Sequence, residues 1–584
     1  MDFRLSDFKS SLFKYQYELF AIIGTVIVLW QIFLPGYVLL LDWIGGPNNV
    51  VSFNSLLSVV SSPSIWLLYF LKLLIPAWLV QKLIFGGMFF ILFYFPLRFF
   101  PETQEPVKYI NSKVKGHKVF RIERYFASLL FVFNPFVYER VLAGQWRVVV
   151  GYAFMFPLMY YIFKFTTEQS WQTVAGIFGT LFITGMWSIH FLAIGIIMVS
   201  LYIFIFSLIN LWQKRFKLLW FASKKIIIGI VFFGLASCYW IIPYKWHGDT
   251  TLEQFGPDHW QAFTTASDKY IGVIGNVITW RGFWGESHIW AHQFNMPWDR
   301  PFLFYGTFLV IGYLVVRSIK SIKSVKSKAN KINLLFLVVL FILSVVFATG
   351  MSAYGFWIIN GWLADNLNFW SGFRDAQKWT GVTALIYVIL ASWGIRGVVT
   401  GLKPVITKRF DDIKWAVLFI PILFVPQMLF GFNGQIKTVW YPKSWQEVNQ
   451  FIKSKTEGQR CKALFLPWHQ YYSVKFNNEM LVANPSHRFF DCEVIAGHNT
   501  ELGNIKSISG GVENYQIIEK FIMSNNSENK FIDQGIKMLQ ENNIQYIIWT
   551  NDLVHSDLYK YPFLKSTKLK KIIDKEDIVL YEIK

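Results

Sequence analysis

Three groups of residues have the types and placement to do chemistry. The first is Asp42, which ends an apolar run from Leu19 to Leu41 and precedes the turn formers Gly45, Gly46 and Pro47. A carboxylate at the exit of such a run can take a proton as a general base or ligate a divalent cation. It can also do no more than help end a helix. The second group is Arg374 and Asp375 with Lys378, polar residues re-entering an apolar frame. Ionisable groups in such surroundings are costly and are usually functional. Arg374 can grip a phosphate through two parallel hydrogen bonds, and Lys378 can add a point charge. A salt bridge pinning the loop would use the same residues. Arg140 and Arg147, near Glu139, can do the same work. The third group lies in the stretch 243–299, which holds Glu286, His288, His292 and Asp299. Asp42 with Asp299 or Glu286 would offer oxygens to Mg2+ or Mn2+. His288 and His292 are four apart and would share a helix face, a spacing that can bind a metal; no HExxH accompanies them, and aromatic interfacial packing is the commoner cause. Trp284 and Trp298 belong to a run of indoles in and around this stretch that can stack on sugar rings or form an interfacial belt. Trp468, His469, Tyr471 and Tyr472 can extend such a platform from further down the chain.

The elements that must position these groups are membrane spans. The chain has 584 residues, of which 54% are hydrophobic and only 16% charged, with a mean hydropathy of +0.37. A soluble protein of this length needs a more charged surface. The formal charge of +20 sits mostly in short links between apolar runs. That is the positive-inside pattern and gives no basic face for nucleic acid. Among Cys238, Cys461 and Cys492 there is no CxxC, which excludes a zinc knuckle or thioredoxin-like site. No GxGxxG or Walker sequence supports a nucleotide site.

Apolar runs predict about 11 transmembrane helices in residues 1–432, at about 18–41, 79–99, 120–137, 148–164, 171–188, 191–210, 226–242, 301–316, 333–350, 380–396 and 415–431. Residues 63–80, interrupted by Pro63, Lys72 and Pro76, read as an interfacial helix. With a cytoplasmic N-terminus, this parity places loops 42–78, 243–299 and 351–379 on the outer face of the cell membrane. The polytopic all-α membrane domain is followed at 433–584 by a small extracytoplasmic α/β domain. Its strand candidates are 463–467 and 544–549, its helix candidates 514–523 and 529–541, and 569–583 reads as a hairpin turning at 574–577. Cys461 and Cys492 lie in this exported domain, where the compartment favours a disulfide.

The pattern resembles large multi-span bacterial and archaeal membrane proteins related to the GT-C glycosyltransferases, among them YfhO-like proteins and those with a 6-pyruvoyl-tetrahydropterin synthase-related membrane domain. The matching pieces are Leu34-Pro-Gly36 followed by Asp42, Phe133-Asn-Pro-Phe-Val137 followed by Gly144-Gln-Trp146, and Phe373-Arg-Asp375 followed by Lys378. The tail matches through Met538–Ile548 and Ile578-Val-Leu-Tyr581. The resemblance implies a GT-C-like fold, a polyprenyl-phosphate-linked sugar as donor, and Asp42 as the catalytic acid of the first loop. Such enzymes often carry paired acids in that loop; this chain has one, followed by Ile44-Gly45. The expectation is sugar transfer to an envelope glycan, lipid or protein acceptor, with Asp42 and Asp299 as base or metal ligands. Arg374, Lys378, Arg147 and Arg140 would hold the donor phosphate, and Asp375, Glu286, His288, His292, Trp284 and Trp298 would support the site or the acceptor. A lipid-linked-glycan transporter and a non-catalytic envelope-assembly protein are the alternatives.

Overall fold

The computed structural model describes residues 14–48, 60, 62–101, 121–247, 257–324, 327–353, 355–401, 415–456, 460–497, 500–502, 505–507, 513–524, 526–554, 556 and 559–584. The basic residues at 4, 9, 108–118 and 403–414 lie outside them, as do the acids at 249 and 253. The helical region comprises α1 (Gln16–Leu29), α2 (Ser62–Leu74), α3 (Ala77–Arg98), α4 (Ile122–Val132), α5 (Pro135–Leu142), α6 (Trp146–Thr167), α7 (Trp171–Trp187), α8 (Ile189–Trp212), α9 (Phe216–His247), α10 (Pro301–Ser324), α11 (Lys328–Ala348) and α12 (Thr380–Gly401), joined by shorter helical turns. Serines start several of them: Ser170 accepts the Thr173 N–H of α7 at 3.2 Å, and Ser327 accepts the Asn330 N–H of α11 at 3.4 Å.

Among the described residues, eight helices are long and apolar enough to cross a membrane. They coincide with eight of the expected spans. The run at 171–188 forms a helix of 17 residues. The run at 415–431 breaks into short turns around Pro421 and Pro426. The run at 120–137 divides into α4 and α5 because Asn134 and Pro135 interrupt it. Asn134 Oδ1 accepts the Val137 N–H at 3.0 Å, and Pro135 takes the first helical position, where its missing donor costs nothing. Every residue of α5 is buried, so this short helix lies inside the bundle. The 13 residues of α2 span about 20 Å at 1.5 Å per residue, short of a bilayer core.

The first apolar run is not one helix to Leu41. Helix α1 stops at Leu29, a 3-10 turn follows over Trp30–Phe33, and Leu34 is extended ahead of Pro35. Residues 37–41 then run as an extended segment, bridged at Tyr37 to Val439 and at Leu39 to Ile44. Its residues 37–40 alternate between two cores. Tyr37 and Leu39 pack into the C-terminal domain, while Val38 and Leu40 pack into the helical bundle. Alternation is what a strand dictates. A strand buried on both faces is apolar throughout, so its composition does not distinguish it from a helix.

The C-terminal domain begins with α13 (Lys443–Thr456). Strands β1 (Lys462–Leu466), β4 (Glu493–Ile495) and β7 (Tyr546–Thr550) run parallel, and β8 (Leu569–Asp574) and β9 (Ile578–Ile583) form an antiparallel hairpin. The sheet order is β4-β1-β7-β9-β8. Ala463 and Phe465 face α13, whereas Leu464 and Leu466 face α15 (Glu513–Met523) and α16 (Asn529–Glu541). Both faces are thereby covered, as parallel strands require. The expected strands, helices and terminal hairpin are all present. Two further hairpins, β2 (Tyr471–Val474) with β3 (Met480–Ala483) and β5 (Thr500–Leu502) with β6 (Ile505–Ser507), and the short helix α14 (Ser486–Phe489) complete it. Cys461 and Cys492 are joined as a disulfide with Cα atoms 5.1 Å apart.

Candidate active site

The extended segment delivers Asp42 to a junction of three parts of the chain. The Asp42 N–H donates to Ala143 O at 2.9 Å, and the Ala483 N–H donates to Leu41 O at 2.9 Å. The Asn48 N–H donates to Arg488 O at 2.9 Å, and Asn48 Nδ2 donates to Phe489 O at 2.7 Å. The turn carrying the carboxylate is therefore held by the end of α5 on one side and by β3 and α14 on the other. Gly144 lets the backbones approach: its φ is +75°, and a Cβ there would stand 2.7 Å from Trp43 N. Gln81 anchors the segment before the turn. It accepts the Val38 N–H at 2.9 Å and donates to Val38 O at 2.8 Å.

The Asp42 carboxylate accepts two side-chain hydrogen bonds. Gln145 Nε2 donates to Oδ2 at 2.8 Å, and the Tyr471 hydroxyl donates to Oδ1 at 3.1 Å. Gln145 precedes α6, and Tyr471 opens β2 of the C-terminal domain. The side chain is deep among protein atoms yet exposed, because it faces a cavity of about 710 Å³. Burial pushes its proton affinity up; Gln145 and Tyr471 oppose this, Asp375 adds to it, and Arg140 opposes it. The result is a carboxyl raised above its ordinary range. Tyr471 is raised well above the usual phenol range, first by burial and then by the Asp42 charge and hydrogen bond. Tyr471 thus stays a donor to the Asp42 carboxylate.

Behind Gln145 lies a buried ionic network. Arg140, fully buried on α5, donates to Gln145 Oε1 and Gln377 Oε1. It also makes a bidentate pair with Asp375, at 2.5 and 2.9 Å. Lys378 Nζ lies 3.3 Å from the same Asp375. Burial works against the Asp375 charge, but Arg140 and Lys378 outweigh it and hold the carboxyl well below its ordinary range. Phe283 lies under the guanidinium at 4.7 Å. Arg374 rests over Phe263 at 5.2 Å and is within electrostatic reach of Asp375, Tyr471 and Asp42. Arg140 is thereby fixed by Asp375, and through Gln145 it fixes the Asp42 carboxylate.

The structure brings Asp42, Arg140, Arg374, Asp375 and Lys378 into this neighbourhood and places Arg147 in the cavity wall. The other expected residues belong to the 257–299 segment, where Trp284 is buried and His292 and Asp299 are exposed, and none lines the cavity. Asp299 Oδ2 accepts the Met296 N–H at 2.8 Å, as a cap of its own turn. Glu286 accepts the Gly282 N–H and meets Arg281 at 3.3 Å. Trp298 lies under the Arg281 guanidinium at 4.0 Å. Trp284 meets Phe263 and His288 edge-on, at 5.1 and 5.7 Å. Burial pushes the His288 imidazole down. His292 sits on the 3-10 turn Ile289–Gln293. Among the described residues no three His, Cys, Asp or Glu side chains group as metal ligands.

Several cavity residues had no role assigned from the sequence. Gln145 stands in the Gly144-Gln-Trp146 motif, but nothing in that motif shows that its amide reaches Asp42. Lys72 sits on α2 and Arg488 on α14, 416 positions further along the chain. No local spacing could have joined them.

Taken together, the chain is a multi-pass helical membrane protein with a small α/β domain clasping the loop after the first span. No known protein-family model matches it, and no curated protein sequence is similar to it. Solved structures are. The chain superposes on the arabinofuranosyltransferase AftD from Mycobacteria with a TM-score of 0.55 and 12% identity, covering 97% of this chain and 40% of that one. A mutant form of AftD gives a TM-score of 0.54, also at 12% identity, over 97% of this chain and 41% of the other. At this identity the likeness establishes the fold alone, which this chain shares with the part of AftD that it covers. The chain spans about two fifths of the length of the AftD chain.

Proposed function

We propose that this protein is a membrane glycosyltransferase that moves a sugar from a polyprenyl-phosphate donor to an envelope glycan, lipid or protein, with Asp42 as general base. The observation that carries the reading is the Asp42 carboxylate, held by Gln145 and Tyr471 yet open to the 710 Å³ cavity. A carboxylate that served only to end a helix would not need two donors and a chamber. Its raised proton affinity suits a base, because a carboxylate with stronger proton affinity removes a hydroxyl proton more effectively. The likeness to a sugar transferase supports the same reaction class.

The acceptor hydroxyl attacks the anomeric carbon of the donor. Its proton passes to the Asp42 carboxylate, and the bond from that carbon to the phosphate oxygen breaks. The lipid phosphate leaves with the electron pair, and Asp42 then returns its proton to water. Tyr471 and Gln145 keep the carboxylate aimed. Of the four cations expected to hold the phosphate, Arg147 lines the cavity, while Arg140 and Lys378 are bound to Asp375. Arg140, Asp375 and Lys378 thus act as positioning residues. Were Mg2+ or Mn2+ bound here, Asp42 would hold it, with water and the donor phosphate supplying the remaining oxygens. Among the described residues that line the cavity Asp42 is the only acid, and the same wall carries Lys72, Arg147 and Arg488. The steps above use Asp42 as a base and route nothing through a metal.

The test is transfer by the purified full chain from labelled polyprenyl-phosphate sugars. Asp42→Asn should lower the rate about 10²- to 10⁴-fold, the usual worth of a general base. Transfer at the wild-type rate in Asp42→Asn would end the assignment, and lipid-linked sugar crossing a vesicle membrane without transfer would point to a transporter.

A further inference from the structure

Between α11 and α12 lies a helix of 11 residues, Phe356–Asn366, in the stretch expected from the sequence to be a loop. At 1.5 Å per residue it is about 16 Å long, half of what a bilayer core requires. One face is held down. Asn360 is buried, and its Nδ2 donates to Val346 O and Gly350 O at 3.0 Å each and to Phe356 O at 3.2 Å. Val346 is in the last turn of α11 and Gly350 just beyond it, so the amide ties the short helix to the end of a helix of spanning length. Past the short helix, Trp370 packs edge-on against Phe347 of α11 at 5.0 Å, a second tie to the same place.

The opposite face is apolar and uncovered. Ile358, Ile359 and Trp362 are 58%, 45% and 61% exposed, and at 100° per residue they share the half of the helix turned away from Asn360. In water such a patch is costly. What covers it follows from where the helix sits on α11. The exposed apolar side chains of α11 are Leu335, Val338 and Ile342, spaced i, i+3 and i+7, which is the lipid-facing stripe of a spanning helix. Val346, four residues past Ile342, continues that stripe, and its carbonyl is one that Asn360 grips. The short helix therefore docks on the lipid side of α11, at the level where α11 ends, with its free face turned outward. Trp settles at membrane–water boundaries, and the exposed Asp365 and Asn366 supply a polar rim. The helix carries no Lys or Arg, so contact with lipid here is apolar burial rather than attraction to anionic headgroups.

We propose that Phe356–Asn366 is an in-plane anchor that buries Ile358, Ile359 and Trp362 in the headgroup–acyl boundary of one leaflet and so fixes the depth of the segment that follows it. That segment runs through Trp370 and Phe373, 5.1 Å apart, directly into Arg374 and Asp375, and Asp375 holds Arg140. The leaflet surface thereby helps set the frame behind Asp42 without touching the cavity. The test is a depth measurement by electron paramagnetic resonance on the full-length protein in phosphatidylcholine nanodiscs. Ile358→Cys, Ile359→Cys, Trp362→Cys and Asp365→Cys would each carry a nitroxide, with Cys238→Ser removing the free thiol and Cys461 and Cys492 already paired. Labels at the three apolar positions should be relaxed more by oxygen, which concentrates in lipid, than by a water-soluble nickel chelate, at a depth of about 5–10 Å. The label at Asp365→Cys should show the reverse order. High salt should change neither, because screening acts on charges and not on apolar contact. Asn360→Ala should free the helix from α11 and raise the mobility of the Trp362→Cys label.

Thermal unfolding identifies the folded variants, and any one of the three apolar positions serves if another does not fold. Nickel relaxation exceeding that of oxygen at these positions would put the face in water and overturn the anchor. Labels shielded from both agents would mean that protein covers the face, a second copy of this chain or another one, and would overturn the bilayer as its occupant. Release of the labels into water at high salt would overturn the apolar basis of the contact. The outcome does not depend on Asp42, since depth is read without any transfer reaction.

Discussion

Tyr471→Phe isolates the contact that the C-terminal domain makes with the proposed base. The substitution keeps the ring and removes only the hydroxyl that donates to Asp42 Oδ1 at 3.1 Å. The Asp42 carboxyl is already raised by burial, with the Gln145 and Tyr471 hydrogen bonds pulling the other way. Losing one of these donors should therefore raise it further. A hydrogen bond to a charged group is worth about 1.5–3 kcal/mol. Because the carboxylate faces water in the cavity, the low end applies, and about 1.5 kcal/mol is about a ten-fold gain in proton affinity. A base works only when deprotonated, so the acid limb of the kcat/KM–pH profile should move to higher pH by that factor. On the alkaline plateau, where Asp42 is ionised in both proteins, the rate should fall far less. The assay is initial transfer rate against pH for wild type and Tyr471→Phe. An acid limb that stays in place, or a loss of rate equal at every pH, would refute the coupling between Tyr471 and the ionisation of Asp42.

Arg140→Met should destabilise the protein by about 3–5 kcal/mol, because it leaves Asp375 buried with Lys378 as its remaining cation; a small change in the thermal midpoint would contradict this. Gly144→Ala forces a side chain into a position with φ of +75° and a Cβ 2.7 Å from Trp43 N, so it should cost about 1–3 kcal/mol and reduce transfer by shifting the Asp42 turn, with unchanged transfer as the contrary result. Asp552 in the C-terminal domain is raised to about 7, first by burial and then by the Asp577 charge, with Lys475 opposing. A folded-state value above the unfolded one means that this carboxyl stabilises the domain while protonated. That contribution is lost as pH rises from about 4 through about 7. Asp552→Asn should accordingly raise the thermal midpoint at pH 8 and leave it nearly unchanged at pH 4; equal effects at both would argue against the titration.

Much of the architecture was legible in the sequence. Long apolar runs separated by basic links mark membrane helices, since lipid leaves a polar chain no place to hide. Eight runs became helices of spanning length. The tail showed its strands and helices because one-sided amphipathic helices and short apolar strands carry distinct periods. The chemical types at Asp42, Arg374, Asp375 and Lys378 also stood out, because ionisable residues are conspicuous in an apolar frame.

What the sequence could not supply was the partner of each group. The stretch 34–41 is apolar at nearly every position, so helix and doubly buried strand look alike; the structure made it a strand by packing Tyr37 and Leu39 on one domain and Val38 and Leu40 on the other. Arg140 carried the charge of a ligand-binding residue, but its pairing with Asp375 across 235 positions spends that charge on the frame. Conversely, Gln145, Lys72 and Arg488 carry no local mark of function, Tyr471 read only as an extension of an aromatic platform, and Tyr471 and Arg488 reach the Asp42 cavity only because the C-terminal domain folds back onto the first loop. Composition and periodicity are properties of neighbours along the chain, and they determined the membrane frame and the terminal domain. The chamber is a property of neighbours in space, and only tertiary packing decided which charges face it and which are spent holding it open.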